Sequence, residues 1–122
     1  MKATKIAVLV FVLLFGAILS NSVMISRVTH KLAEKVDRVN SENTENAAEE
    51  YERISEQFKK AERYISLTVS HDDLTNIEES FAEIIGAAKA GNKIGLVTLK
   101  SRLIDSLEHL GRLSSINLDS IL

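Results

Sequence analysis

Residues 51–68 read YERISEQFKKAERYISLT, and their apolar positions recur at intervals of three or four residues. The recurring positions, with one threonine among them, are Tyr51, Ile54, Phe58, Ala61, Ile65 and Thr68. This spacing places the side chains along one side of an α-helix, as in the seam of a left-handed helix pack. The stretch therefore predicts an amphipathic helix over residues 44–69 whose seam packs against other helices.

Two later stretches repeat the same spacing. The first consists of Leu74, Ile77, Phe81, Ile84 and Ala88, and the second of Leu96, Leu99, Leu103, Leu107 and Leu110. Ser70 and Asp73 before the first stretch resemble a capping box, and Gly91 between the two suits the left-handed conformation that ends many helices. Short turns between amphipathic helices favour antiparallel neighbours. We therefore predict an all-α, up-down-up three-helix bundle over residues 44–122.

The N-terminal part has a different pattern. Residues 6–19, IAVLVFVLLFGAIL, contain no strongly polar side chain, and the uncharged run continues to residue 26, giving 21 residues. A helix of that length covers about 31 Å, which is close to the hydrocarbon thickness of a bilayer. Residues 1–26 are therefore predicted to be a transmembrane anchor. Lys2 and Lys5 precede the run and favour a single-pass protein of the cell membrane, with its N-terminus cytoplasmic and its C-terminal domain extracytoplasmic.

Residues 27–43 are predicted to connect this anchor to the bundle. Val28, Leu32, Val36 and Val39 recur on one face of a helix, and the polar stretch NSENTEN at residues 40–46 indicates a break. Ser41 or Asn43 in that stretch is suited to cap the following helix. The predicted order is thus an anchor, a juxtamembrane helix with a linker, and a helical bundle domain.

An alternative interpretation of the N-terminus is a cleaved signal peptide. It has a basic start, an apolar stretch and the small residues Ser20, Asn21 and Ser22 near a suitable cleavage position. Cleavage there would release a secreted helical protein. The apolar residues resume at once with Val23, Met24 and Ile25, which favours the uncleaved anchor.

Composition excludes several functions. The chain has no Cys, so it forms neither disulfides nor thiolate metal sites. Beyond residue 26 there are 13 basic and 17 acidic residues, a net charge of −4, without the cluster of Lys and Arg that nucleic-acid binding requires. We therefore predict no nucleic-acid partner. The expected partners are the lipid bilayer, through the N-terminal helix, and an unidentified protein, with self-association as a further alternative.

Two groups of polar residues could suggest chemistry. His71, Asp72 and Asp73 are consecutive, so their side chains point in different directions, and helix capping accounts for both acids. Ser101, Asp105 and His109 share one helix face, but a single exposed face offers neither an oxyanion hole nor a pocket that excludes water. We therefore predict no catalytic, cofactor-binding or metal-binding residues and no cofactor.

Several of these features occur together in a family of short bacterial proteins. They are the lysine-flanked apolar N-terminus, a charged helix, a histidine-acid turn opening an Ile-Glu-Glu helix, and a Leu-rich last helix with an Asn-containing tail. The stretches that carry the likeness are SHDDLTNIEES at residues 70–80 and LSSINLDSIL at residues 113–122. In these the chain resembles the family catalogued as domain of unknown function 4363. The resemblance implies a membrane-tethered helical domain and no established activity, so no catalytic residue can be carried over.

The sequence therefore predicts a non-enzymatic, membrane-anchored helical protein that binds a protein partner or supports an envelope structure. The alternative is a small extracytoplasmic protein that binds a metal or ligand at the His71 turn. The four apolar residues among positions 114–122 are expected to pack back on the bundle.

Overall fold

The protein folds into four α-helices joined by short connections. The structure, a computed structural model, describes residues 2–65 and 69–121, with the side chains of all of these except residues 18, 21, 22 and 114–121. The helices are α1 (Lys2–Arg38), α2 (Thr44–Ile65), α3 (His71–Lys89) and α4 (Lys93–Ile121). No strand occurs in these ranges, so the prediction of an all-α fold is confirmed.

Each helix packs against two others, because α1 contacts α2 and α4, and α3 contacts α2 and α4. Pairs of residues across the interfaces show that neighbours are antiparallel. Thr29 of α1 lies beside Gly111 of α4, and the carbonyl of Val39, just beyond the end of α1, accepts a hydrogen bond from Lys100 of α4. The four helices thus form an up-down-up-down bundle.

This architecture differs from the predicted three-helix bundle. Leu32, Val36 and Val39, which we assigned to a juxtamembrane helix, are 0–4% exposed and belong to the core. Their spacing indicates a helix, but a helix face of four apolar residues does not reveal which helices it packs against. The C-terminal half of α1 is therefore the fourth helix of the bundle.

The predicted seams of the later helices are confirmed at most positions. Two aromatic rings, Phe58 of α2 and Phe81 of α3, lie at the centre with their centroids 5.8 Å apart. Leu99 and Ala61 are only partly buried, and Thr68 lies outside the described residues. The seam residues that are buried are Tyr51, Ile54, Phe58, Ile65, Leu74, Ile77, Phe81, Ile84, Ala88, Leu96, Leu103, Leu107 and Leu110.

The helix ends follow the capping signals in the sequence. The Ser70 hydroxyl accepts a hydrogen bond from the Asp73 backbone N–H at 3.3 Å and donates one to the Asp73 carboxylate at 2.7 Å. Gly91 after α3 has a φ of 71°, a conformation that disfavours residues with a Cβ. The Asn43 side chain accepts a hydrogen bond from the Asn46 backbone N–H at 3.2 Å, as predicted for the start of α2. The expected packing of the tail side chains lies outside the described residues.

The predicted membrane anchor is wrong. Within the described ranges, no helix contains a stretch that is both long and apolar enough to cross a bilayer. The strongly apolar run, residues 6–19, spans only about 21 Å as a helix, against about 30 Å of hydrocarbon. The residues that extend it to position 26 include Ser20, Asn21, Ser22 and Ser26. The prediction of a single-pass protein of the cell membrane, with its orientation, is therefore corrected.

Candidate functional site

The most unusual surface of the molecule is the N-terminal half of α1. We call residues 6–19 the apolar segment. Its exposed side chains include Phe11, which is 69% exposed, and Leu13, which is 64% exposed. Among the described side chains of α1, that of Ile25 is the first to be fully buried. The apolar segment therefore lies outside the core that the four helices share.

The exposed apolar side chains cover every face of this part of α1. Residues 8–14 are all apolar and all exposed, and each residue turns the helix by about 100°. Phe11 and Phe15, one turn apart, stack with their ring centroids 6.3 Å apart. Monomeric proteins rarely expose contiguous apolar surface of this kind unless it is a site of interaction. The segment is thus the strongest candidate for a binding element.

The histidine turn does not form a site with the acids that surround it in the sequence. His71 and Asp72 are exposed at the start of α3, and the Asp73 carboxylate is bonded to Ser70. Over the residues that the structure describes, no group of three or more His, Asp or Glu side chains is arranged to hold a metal ion. The turn acts as the cap that its sequence predicts.

Ser101, Asp105 and His109 stay on the exposed side of α4. His109 does line a small cleft of ≈ 70 Å³ between α3 and α4 together with Asp73, Asn76 and Ser106. The spacing of residues along the chain does not predict that Asp73 and His109 lie in the same cleft. A cleft of this volume has room for about two water molecules, each of which occupies about 30 Å³ in the liquid. It is too small to hold an organic substrate.

A pair of glutamates links α2 and α3, and sequence analysis missed it. Burial raises the pKa of Glu62 to about 7, and hydrogen bonding with Glu78 and repulsion from its charge act in the same direction. The charge of Lys59 opposes this rise in the pKa of Glu62. Glu62 Oε1 is buried and has no hydrogen-bond partner among the described residues. The arrangement favours a proton on Glu62 near neutral pH.

Two clefts lie between α1 and α4 on one side of the bundle. The larger, of ≈ 370 Å³, is lined by Asp37, Ser41, Val97, Lys100, Ser101, Ile104 and Asp105. The smaller, of ≈ 240 Å³, is lined by Ser26, Thr29, His30, Glu108, Gly111 and Arg112. His30 and Asp37 are seven residues apart on α1, so both clefts open on the same side of that helix. We call this surface the α1–α4 groove.

No curated protein and no solved structure is similar enough to the chain to count as a match. The family model described as a domain of unknown function (DUF4363) does match, over residues 18–121. This range includes all of α2, α3 and α4 and the buried half of α1. Because the match covers most of the chain, the resemblance found in the sequence is confirmed, and the protein belongs to the DUF4363 family.

Proposed function

We propose that the protein is a non-enzymatic interaction module that associates with other protein chains through its apolar segment, beginning with further copies of itself. The observation that carries this proposal is the exposure of large apolar side chains on all faces of α1 over residues 8–14. A helix that is apolar all round requires apolar surroundings. Copies of the same segment supply such surroundings without any further component.

The energy available from covering the segment is of the same order as the cost of association. Eight large apolar side chains between residues 6 and 14 are 48–69% exposed. Burying a Val, Leu, Ile or Phe side chain completely contributes about 1.5–3 kcal/mol, so covering the exposed parts of eight contributes on the order of 10 kcal/mol. This is comparable with the roughly 4–15 kcal/mol cost of bringing two chains together.

The placement of the reactive side chains supports a role without catalysis. Ser101, Asp105 and His109 lie on an exposed face of α4. Nucleophilic catalysis needs its base oriented by a third group and a donor pair for the developing oxyanion. In the part of the chain that the structure describes, these three side chains have no such surroundings.

The absence of Cys from the chain allows a site-specific test. Leu13→Cys introduces one thiol in the apolar segment, which is labelled with a dye whose emission shifts to the blue in apolar surroundings. Glu79→Cys, at an exposed position on α3, carries the same dye as the matched control. Emission and sedimentation are then recorded over a range of concentrations of the full-length chain.

We expect the emission of the Leu13→Cys label to shift to the blue as concentration rises, in parallel with an increase in sedimenting mass. The Glu79→Cys label should show no shift. A monomer whose Leu13→Cys label stays in water at every concentration would contradict the proposal. A blue shift that requires added phosphatidylcholine vesicles, with no change in protein mass, would also overturn it, because lipid rather than protein would then cover the segment.

A further inference from the structure

We propose that neighbouring copies of the chain pair antiparallel through the apolar segment, so that their four-helix bundles lie at opposite ends of the paired helices. This inference rests on the self-association proposed above and adds its direction. The exposed apolar side chains cover every face of α1 over residues 8–14, so their burial is nearly the same whichever way a neighbour runs. The direction is therefore decided by the shape and the charge at the two ends of the segment.

The neighbours of α1 within the bundle reach different heights along it. Gly111 of α4 lies beside Thr29, and α4 continues antiparallel to α1 for a further ten residues, to Ile121. It therefore ends level with the end of the apolar segment. By contrast, the Lys35 ammonium donates a hydrogen bond to Gln57 Oε1 at 2.8 Å, and α2 ends eight residues later. That end is level with about residue 27 of α1.

Helix α3 also stops short, so α1 and α4 extend past α2 and α3 as a pair. Asp73, near the start of α3, shares a cleft with His109, and from there α4 continues for about 18 Å to its end. Over this length α1 has two exposed apolar side chains, Val23 at 48% and Met24 at 39%. The described residues of α2 and α3 leave them uncovered. An incoming antiparallel helix has room to pack on them.

A complete antiparallel overlap of the two apolar segments fixes which parts of two copies meet. Residue n of one copy is then level with residue 25 − n of its neighbour, because the segment runs from residue 6 to residue 19. Lys5 is thus level with residue 20, and Lys2 with residue 23. The last turn of the neighbour's α4 reaches the same height. The first turn of α1 in one copy and the last turn of α4 in the other therefore meet on the same helix.

The charges at these two helix ends are complementary. The first turn of α1 contains Lys2 and Lys5 and no acidic residue, although the N-terminal end of a helix is already partially positive. The last turn of α4 contains Asp119 and no basic residue, although the C-terminal end of a helix is partially negative. Within one chain the two ends are about 20 Å apart along α1. Antiparallel neighbours bring them together twice, once at each end of the pair.

Parallel neighbours would instead place like charges side by side. Lys2 and Lys5 of one copy would lie beside the same residues of the other. Beyond the apolar segment, residues 27–38 of α1 contain four basic and two acidic side chains, all exposed, so two regions of net charge +2 would also be adjacent. Like charges that face each other across an interface disfavour that arrangement. The antiparallel pair avoids both juxtapositions.

The test is chemical cross-linking of the full-length chain, which has no Cys of its own. Ile6→Cys and Leu19→Cys are each treated with a short bis-maleimide alone, and then as an equal mixture left to exchange subunits. One of the two is labelled with nitrogen-15, so that mass spectrometry distinguishes mixed from like dimers. Leu13→Cys is the matched control, because residue 13 lies near the middle of the segment and meets its counterpart in either direction.

We expect Leu13→Cys to link to itself, and the mixture to give at least 5-fold more mixed dimers than like dimers. An excess of like dimers of Ile6→Cys would show that neighbours are parallel and would overturn the inference, while linkage of Leu13→Cys would still support self-association. If none of the three positions links, the proposed function fails and this inference fails with it.

A charge reversal gives a second, independent measurement. Lys2→Glu/Lys5→Glu should raise the concentration needed for half association about 3- to 10-fold, because it places acids beside the negative end of the neighbour's α4. Parallel neighbours would exchange one pair of like charges for another, so an unchanged concentration would contradict the antiparallel arrangement. The matched control, Lys59→Glu/Lys60→Glu on the exposed surface of α2, should change the concentration less than 2-fold.

Discussion

The two halves of α1 belong to one continuous helix, yet they have opposite relations to the rest of the molecule. From Ile25 onwards the helix alternates buried and exposed faces, and its apolar side packs against α2 and α4. Over residues 8–14 it exposes apolar side chains in all directions. The buried half has a polar face that stays in contact with solvent, whereas the apolar segment has no polar face. An apolar side chain therefore stabilises the fold only where another element of the same chain covers it.

The largest test of this contrast is one substitution made in each half. Leu32→Ala removes a side chain that is 4% exposed, and we expect it to lower the free energy of unfolding by about 2–5 kcal/mol through lost burial and the cavity left behind. Leu13→Ala removes a side chain that is 64% exposed, and it should change the free energy of unfolding by less than about 0.5 kcal/mol. Urea denaturation followed by circular dichroism measures both changes.

In self-association, the order of the two effects should be reversed, with the larger change caused by Leu13→Ala. Leu13→Ala is expected to shift self-association to higher concentration, and Leu32→Ala should leave it unchanged under conditions where the bundle remains folded. Equal losses of stability in the two variants would show that the apolar segment folds onto the bundle, and the contrast between the halves would fail.

A smaller effect tests how closely the buried half of α1 approaches α4. A Cβ added at Gly111 would lie 2.7 Å from Thr29 Oγ1. That hydroxyl is buried and donates a hydrogen bond to the Ile25 carbonyl at 2.9 Å, so it has little freedom to move away. We expect Gly111→Ala to destabilise the bundle by about 1–2 kcal/mol, the usual cost of overpacking.

Two variants serve as controls for this change. Gly86→Ala on α3 meets no atom within 4 Å and should stabilise the protein by up to about 1 kcal/mol, because Ala favours helix over Gly. Adding Thr29→Ala to Gly111→Ala removes the obstructing hydroxyl and should recover most of the loss in the urea midpoint. A Gly111→Ala protein as stable as Gly86→Ala would mean that the two helices lie further apart than described.

Sequence patterns predicted what local physics determines. The start of α2 at Thr44, the Ser70 cap and most of the seam residues followed from spacing and from hydrogen-bonding side chains close in sequence. The same patterns do not show which helices pack against one another. For this reason the spacing of Leu32 and Val36 predicts a helix but does not predict that this helix belongs to the bundle.

The candidate site shows the same limit. The apolar segment stands out in the sequence by its composition, but composition does not specify what covers it. The predicted membrane-spanning helix was wrong. Glu62 and Glu78 lie 16 residues apart on different helices, and Thr29 and Gly111 lie 82 apart, so neither pair forms a local motif.

The smallest expected effect is a dependence on pH, which should appear in the stability of the bundle but not in the self-association of the apolar segment. The pKa of Glu62 is raised from 4.5 to about 7 in the folded protein, mainly by burial and secondarily by Glu78. The folded state therefore holds a proton that the unfolded state releases above pH 4.5. The resulting stabilisation is fully present below that pH, decreases as pH rises, and is lost above about pH 7.

Because Glu62 is partly exposed, solvent screening limits this contribution to about 1 kcal/mol or less. Glu62→Gln should flatten the dependence of unfolding free energy on pH between 5 and 8, and Glu79→Gln should leave it intact. Residues 6–19 contain no ionisable side chain, so self-association should stay constant over the same range. An association that weakened with pH in step with bundle stability would tie the two regions together, because exposure of the apolar segment would then depend on how α2 and α3 pack.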